Sequence, residues 1–137
     1  MTAGETSEYG YSIPDALEIL FSRQVNIENI TLSSDGNGSI PIENGGGTGI
    51  GEVGQLFEDV RSSILEKGLD AASVLKTVTI NPAKVLNIYP RKGVLAKGSD
   101  ADILVLNKND ITIDWLIAKG KVFIEEGKLV KKGQYER

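Results

Sequence analysis

Asn29-Ile30-Thr31-Leu32-Ser33-Ser34-Asp35-Gly36-Asn37-Gly38-Ser39 is the stretch on which the fold turns. Its first four residues read as the end of a buried strand running into small polar residues and an acid. Glycines at 36 and 38 let the backbone turn tightly beside that acid. An acid at the carboxyl end of a strand, followed at once by a flexible polar loop, is how α/β-barrel enzymes place catalytic groups. A plainer account also fits: a strand end with an Asx-type turn, Asp35 bonding local backbone N–H groups. On local pattern alone the turn is the stronger account.

Upstream, residues 1–11 are polar and read as a loop or a frayed start. Ser12-Ile13-Pro14-Asp15 opens a helix, with Ser12 as cap and Pro14 tolerated in the first turn. Ile13, Ala16, Leu17, Leu20 and Phe21 form the stripe of a one-sided amphipathic helix ending near Gln24, and Ile27 to Leu32 returns as a strand. Downstream, residues 36–51 hold seven of the chain's 16 glycines and read as a long loop. Val53, Leu56, Phe57, Val60 and Ile64 give a second amphipathic helix, with Gly68 as its stop. Asp70 caps a short helix over Ala71 to Lys76. Asn81-Pro82 starts another, with Asn81 as N-cap and Pro82 at the first helical position.

From there the pattern changes. Ile103-Leu104-Val105-Leu106 is an apolar run of strand length. Trp115 to Ala118, Val122 to Ile124 and Leu129-Val130 are separated by Lys119-Gly120-Lys121 and Glu125-Glu126-Gly127-Lys128, which read as hairpin turns. Helix/strand alternation to about residue 87 thus gives way to a small antiparallel β region. A few short strands without a covering helix make a marginal sheet with open edges. They are expected to pair with strands from a missing N-terminal region or another chain.

The 137 residues suit one modest core or a piece of something larger. A net charge of −4, with no Lys/Arg-rich stripe, argues against a nucleic-acid partner. Lys128, Lys131 and Lys132 are interleaved with apolar residues, as on a half-exposed strand. No signal peptide and no membrane-length apolar window are present, so a cytoplasmic protein without a membrane partner is expected. The chain has no cysteine and no histidine. That removes Ser–His–Asp and Cys–His catalysis and any imidazole or thiolate zinc site from this chain taken alone.

Other motifs have simpler explanations. Gly49-Ile50-Gly51-Glu52-Val53-Gly54 matches G-x-G-x-x-G and opens a helix, but it follows a loop, and Asp70 heads a helix instead of ending a second strand. Asp100 and Asp102 lie in a polar turn entering a strand, where capping explains them. Glu125 and Glu126 sit on a turn. Trp115 lies in an apolar strand and reads as core. Ser33, Ser34 and Ser39 have no histidine to activate them. Asp35 keeps both position and neighbours: a carboxylate there can ligate a metal or move a proton.

Thr77-Val78-Thr79-Ile80-Asn81-Pro82-Ala83-Lys84-Val85-Leu86, then Lys92-Gly93 and Gly98-Ser99-Asp100-Ala101-Asp102-Ile103-Leu104-Val105-Leu106, resembles the closing signature of the amidohydrolase superfamily. Leu32 to Ser39 is similar to the segment after the last barrel strand of isoaspartyl (β-aspartyl) dipeptidases. The resemblance implies an α/β fold: the C-terminal end of a metal-dependent (β/α)8 barrel (last helices and strand 8) over residues 1–87, then C-terminal strands of a small β-sandwich over 88–137. As an isolated chain this is α+β. It implies a hydrolase in which two zinc ions activate a water against the β-linked amide of a dipeptide. Asp35 matches the aspartate that ligates one metal and carries the proton to the leaving amine. Ser39 matches a serine that hydrogen-bonds the dipeptide.

The superfamily's His-x-His pair, carboxylated lysine, further histidines, and substrate-binding arginine and tyrosine would lie upstream. The chain alone is therefore expected to bind no zinc pair, to hydrolyse nothing, and to form homo-oligomers or dock on an N-terminal portion. The alternatives are another amidohydrolase (hydantoinase-, dihydroorotase- or deaminase-like) and a non-catalytic structural or interaction module.

Overall fold

The computed structural model of the chain describes residues 10–41 and 48–132. It packs as two units, Met1–Val78 and Thr79–Arg137.

The first unit contains α1 (Ile13–Ser22), β1 (Ser39–Pro41), β2 (Thr48–Ile50), α2 (Gln55–Leu65) and α3 (Ala71–Lys76). α1 starts at Ser12, whose Oγ accepts the Asp15 N–H at 3.3 Å and donates to the Asp15 carboxylate at 2.6 Å. Pro14 falls in the first turn, where its missing N–H costs nothing. The apolar stripe then places Leu17, 1% exposed, against Val60 of α2 and Val74 of α3. Ile13, Phe21, Ile30, Leu32, Ile64 and Leu75 close around them. Each such side chain withdrawn from water contributes roughly 1.5–3 kcal/mol. Asp70 caps α3 by accepting the Ser73 N–H at 2.8 Å, as its position before the helix requires.

Lys67, just past α2, fastens the two long helices. Its Nζ lies 2.6 Å from Asp15 Oδ1 and 2.9 Å from Glu18 Oε2. Hydrogen bonding from Lys67, and then from Ser12, holds the Asp15 carboxyl below its ordinary range.

Two expectations need correction here. Residues 27–32 are not a strand. Ile27–Asn29 form a 3₁₀ turn, with Asn26 Oδ1 accepting the Glu28 N–H at 3.0 Å; Ile30 is extended, and residues 30–34 belong to neither sheet. An apolar run becomes a strand when a neighbour forms a ladder with it; this segment is tied instead by the Leu32 N–H to the Thr77 carbonyl, 3.1 Å. Second, the stretch 36–51 is not all loop. β1 and β2 pair antiparallel, Ser39 opposite Ile50 and Pro41 opposite Thr48. Gly45, Gly46 and Gly47 lie outside the described residues.

The second unit contains α4 (Ile80–Val85), β3 (Ile103–Leu106), β4 (Ile113–Ala118), β5 (Lys121–Glu125) and β6 (Lys128–Leu129). α4 begins earlier than Asn81 suggested. Thr79 is the cap, and Asn81 is the second helical residue, 1% exposed. A cap must hold a non-helical backbone, which Asn81 no longer has. The helix ends in a Schellman arrangement: Asn87 has φ +56°, its N–H donates to Lys84 O at 3.1 Å, and Ile88 N–H donates to Ala83 O at 2.9 Å.

The four strands form an antiparallel sheet in the order β3-β4-β5-β6. Both expected hairpin turns are present. Lys119 and Gly120 have φ of +49° and +71°, and Glu126 and Gly127 +48° and +73°, the pair of positive angles a two-residue type I′ turn demands.

Gly93 brings the loop after α4 back onto that helix. Its φ is +82°, and a Cβ there would lie 2.7 Å from Ala83 Cβ and 2.8 Å from Thr79 O. Lys92, beside it, has its Nζ 3.0 Å from Asp100 Oδ2 and also meets Asp102 Oδ2. The other oxygen of Asp102 accepts the Lys119 N–H at 2.7 Å. Lys92, and then the Lys119 N–H, hold the Asp102 carboxyl below its usual range. One lysine and two aspartates thus clasp the loop to the β4–β5 turn.

Leu17→Ala should lower the unfolding free energy of the first unit by about 2–5 kcal/mol. Leu129→Ala, at a position 58% exposed, should stay within about 0.5 kcal/mol, both read by urea unfolding. Asp15 and Asp102 have depressed folded values. Their contributions are present above the ordinary carboxyl value and are lost as pH falls below about 4. The urea midpoint should therefore fall over that range, and Lys67→Met should flatten the part of the fall that belongs to Asp15.

Candidate functional site

The first unit delivers Asp35 to its surface on a turn with little freedom. Ile30 and Leu32 pack against the Leu17–Val60–Val74 core, and Leu32 N–H is held by Thr77. Thr77 is fully buried, its own hydroxyl donating to Val74 O at 2.6 Å. Beyond Leu32, Ser34 Oγ accepts the Gly36 N–H at 3.1 Å. Asp35 then adopts φ +47°, a conformation that Asp and Asn tolerate better than most residues. Asp35 to Gly38 is a β-turn: Gly38 N–H donates to Asp35 O at 2.8 Å, and Asn37 at the third place has φ +64°.

The segment from Gly51 to Val53 crowds against this turn. Asn37 N–H donates to Gly51 O, and Gly51 N–H to Gly38 O, both at 2.9 Å. The Asp35 carboxylate folds over Gly38, where a Cβ would lie 2.5 Å from Oδ1. A Cβ on Gly51 would lie 2.7 Å from Asp35 O, and one on Gly36 2.6 Å from Val53 Cγ2. Asp35 itself is exposed. Ser39, also exposed, opens β1 one residue beyond Gly38. The sequence candidates Asp35 and Ser39 therefore stand at the two ends of one short turn-and-strand unit. Gly51 and Val53, which buttress the turn, are not recognised as site residues from the sequence. Their one signal is the G-x-G-x-x-G match, which reads locally as a loop entering a helix cap.

The structure gives that match its meaning. Gly49 lies in β2 and Gly54 is the cap of α2. The strand before the helix is one arm of an antiparallel hairpin, so the parallel βαβ setting of a dinucleotide site is not formed here. Asp100 and Asp102 are held in the Lys92 clasp, with more ion pairing than turn-capping implied. Trp115 is half-buried on β4 opposite Val105.

Residues 13–130 match the amidohydrolase family. The chain belongs to that family. It is 33% identical over 109 residues to dihydropyrimidinase of Arabidopsis thaliana, covering 74% of this chain and 19% of the relative. A match of 44% identity over 57 residues, 38% of this chain and 12% of the relative, is to dihydropyrimidinase 1 of Caenorhabditis elegans. Among solved structures, β-aspartyl dipeptidase from Fervidobacterium islandicum AW-1, in complex with β-Asp-Leu dipeptide, aligns with a TM-score of 0.77 and 34% identity. That alignment covers 96% of this chain and 34% of the dipeptidase. The chain thus spans about a third of the dipeptidase and a fifth of the plant relative. Its fold is α/β, the C-terminal end of a (β/α)8 barrel followed by strands of a small β-sandwich. The resemblance to the β-aspartyl dipeptidases in the sequence extends to the structure.

The amidohydrolase family is generally metal-dependent. Asp35 offers a hard oxygen donor, which fits one ligand position of such a centre. The chain has no histidine or cysteine, and among the described residues no three His, Cys, Asp or Glu side chains converge.

The close approaches make a paired prediction. Gly51→Ala, driving a Cβ into Asp35 O, should destabilise by about 1–3 kcal/mol. Gly54→Ala, where a Cβ meets nothing within 4 Å, should stay within about 0.5 kcal/mol in the same urea titration.

Proposed function

We propose that this chain forms the C-terminal part of a zinc-dependent dipeptidase that hydrolyses β-aspartyl (isoaspartyl) dipeptides in the cytoplasm. The observation that carries this is the likeness, over 96% of the chain, to a β-aspartyl dipeptidase complexed with β-Asp-Leu. On this reading residues 1–87 close the barrel, residues 88–137 add sandwich strands, and an N-terminal portion supplies the rest of the site.

Asp35 is the chemical residue. Its carboxylate, exposed on a turn fixed by Gly38 and Gly51, would hold the metal as one oxygen ligand and, as a general acid–base, would take a proton from the attacking water and give it to the leaving amine. Zinc, when bound, supplies Lewis acidity and lowers the pKa of water to about 7. Ser39 hydrogen-bonds the dipeptide from the start of β1. With no histidine to complete the donor set, the chain alone is inactive and binds no zinc pair. It self-associates or docks on the N-terminal portion.

A second reading rests on the dihydropyrimidinase relatives: the same Asp35 would serve ring opening of a cyclic amide. The substrate separates the two. The chain alone with zinc should leave β-Asp-Leu intact. Joined to its N-terminal portion it should cleave β-Asp-Leu and leave a dihydropyrimidine untouched; the reverse preference would replace the dipeptidase reading. Asp35→Asn should then lower kcat about 10²–10⁴-fold. Ser39→Ala should act mainly on KM, by about 3–10-fold, the size of one hydrogen bond.

A further inference from the structure

The second unit carries a groove of about 790 Å³ that the Asp35 chemistry does not use. Ala118 and Phe123 give it an apolar lining, and Lys119, Lys121, Lys131 and Lys132 surround them. Lys92 and Asp102 also line it, but they are joined in the clasp, so that lysine's charge is already met by two aspartates. Among the described residues Asp102 is the single acid of the lining. This concentration of cations runs against the character of the chain, whose net charge is −4.

The groove is partly organised. Lys131 Nζ stands 5.6 Å from the centroid of the Phe123 ring, a cation–π contact that keeps an ammonium group over the apolar lining. Lys119 belongs to the type I′ turn, whose backbone is pinned by Asp102 and by the Gly120 N–H bond to Ala101 O at 2.9 Å. The cations are lysines throughout, compact point charges on flexible stems, without the planar fork by which arginine grips a phosphate in two places. Such a set suits carboxylates spaced along an extended chain, with an apolar side chain resting on Phe123.

We propose that this groove docks an acidic peptide segment of a partner protein, its Asp or Glu side chains meeting Lys119, Lys121 and Lys131. None of these residues belongs to the Asp35 turn, so binding here is read separately from hydrolysis.

Fluorescence anisotropy with the full chain tests it, using a labelled peptide that alternates glutamate with serine around one central leucine. Saturable binding at about 0.03 M salt should weaken at least about tenfold at 0.3 M, because exposed charges are screened beyond a Debye length. The double variant Lys121→Glu/Lys131→Glu should weaken it by about tenfold or more, Lys131→Gln by less, and Lys108→Glu, outside the groove, not at all. Circular dichroism checks that each variant is folded. Absence of saturable binding, or binding that the groove variants leave unchanged, overturns the proposal. So does an oligonucleotide or tripolyphosphate that binds as tightly and with the same dependence on Lys121 and Lys131, since that would assign the groove to phosphates.

Discussion

The hydrogen bond from Leu32 N–H to Thr77 O, 3.1 Å, is the contact on which the Asp35 turn hangs. It joins a segment outside the sheets to the residue that caps α3, and that residue is fully buried. Leu32 and Ile30 reach the helical core from one side of this segment, so the chain arrives at Ser34 with direction and register fixed. Asp35 then emerges on the surface, yet it inherits the rigidity of Val74 and Thr77 through two residues of backbone.

The same economy governs the glycines. At Gly120 and Gly127 glycine answers a demand for positive φ. At Gly38 and Gly51 the demand is for absence of a side chain: the Asp35 carboxylate and carbonyl occupy the space a Cβ would need. Gly93 meets both demands, with φ +82° and the first turn of α4 pressed against it. The Lys92-Gly93 and Asp100-Ala101-Asp102 pieces of the family signature therefore have a mechanical explanation. They bind a loop to a helix on one side and to a hairpin turn on the other.

What could be read from the sequence was what local chemistry decides. Ser12 and Asp70 cap helices because a side-chain oxygen placed before an amphipathic run has N–H groups within reach. The β4–β5 and β5–β6 turns arise from glycine at the second turn position between apolar runs. Reading failed where the decision was tertiary. Ile27 to Leu32 has strand composition but forms no ladder among the described residues, so a 3₁₀ turn and a segment outside the sheets result. β1 and β2 contain proline and glycine, poor strand residues that pair because the Asp35 turn brings Gly38 and Gly51 together. Asn81 has the composition of a cap and the position of an interior residue. At the candidate site, Asp35 and Ser39 are named from the sequence only through family resemblance, whereas the crowding by Gly51 and Val53 is a three-dimensional fact with no local signature.

The two units are held by different forces, and this bears on what each can do. The first has a core: Leu17, Val60 and Val74 are nearly inaccessible and draw three helices together. Among the described residues of the second, the buried apolar side chains are Ala83 and Ile111, while Leu104, Val105, Leu129 and Val130 are between 42% and 58% exposed. Its order comes from the tight turns, the Lys92 clasp and the Gly93 contact. A sheet built that way keeps both its apolar surface and its lysine groove accessible, as a surface for association requires. The unit with the packed core carries the tightly braced Asp35 turn, and the unit with the open sheet leaves much of its apolar surface exposed.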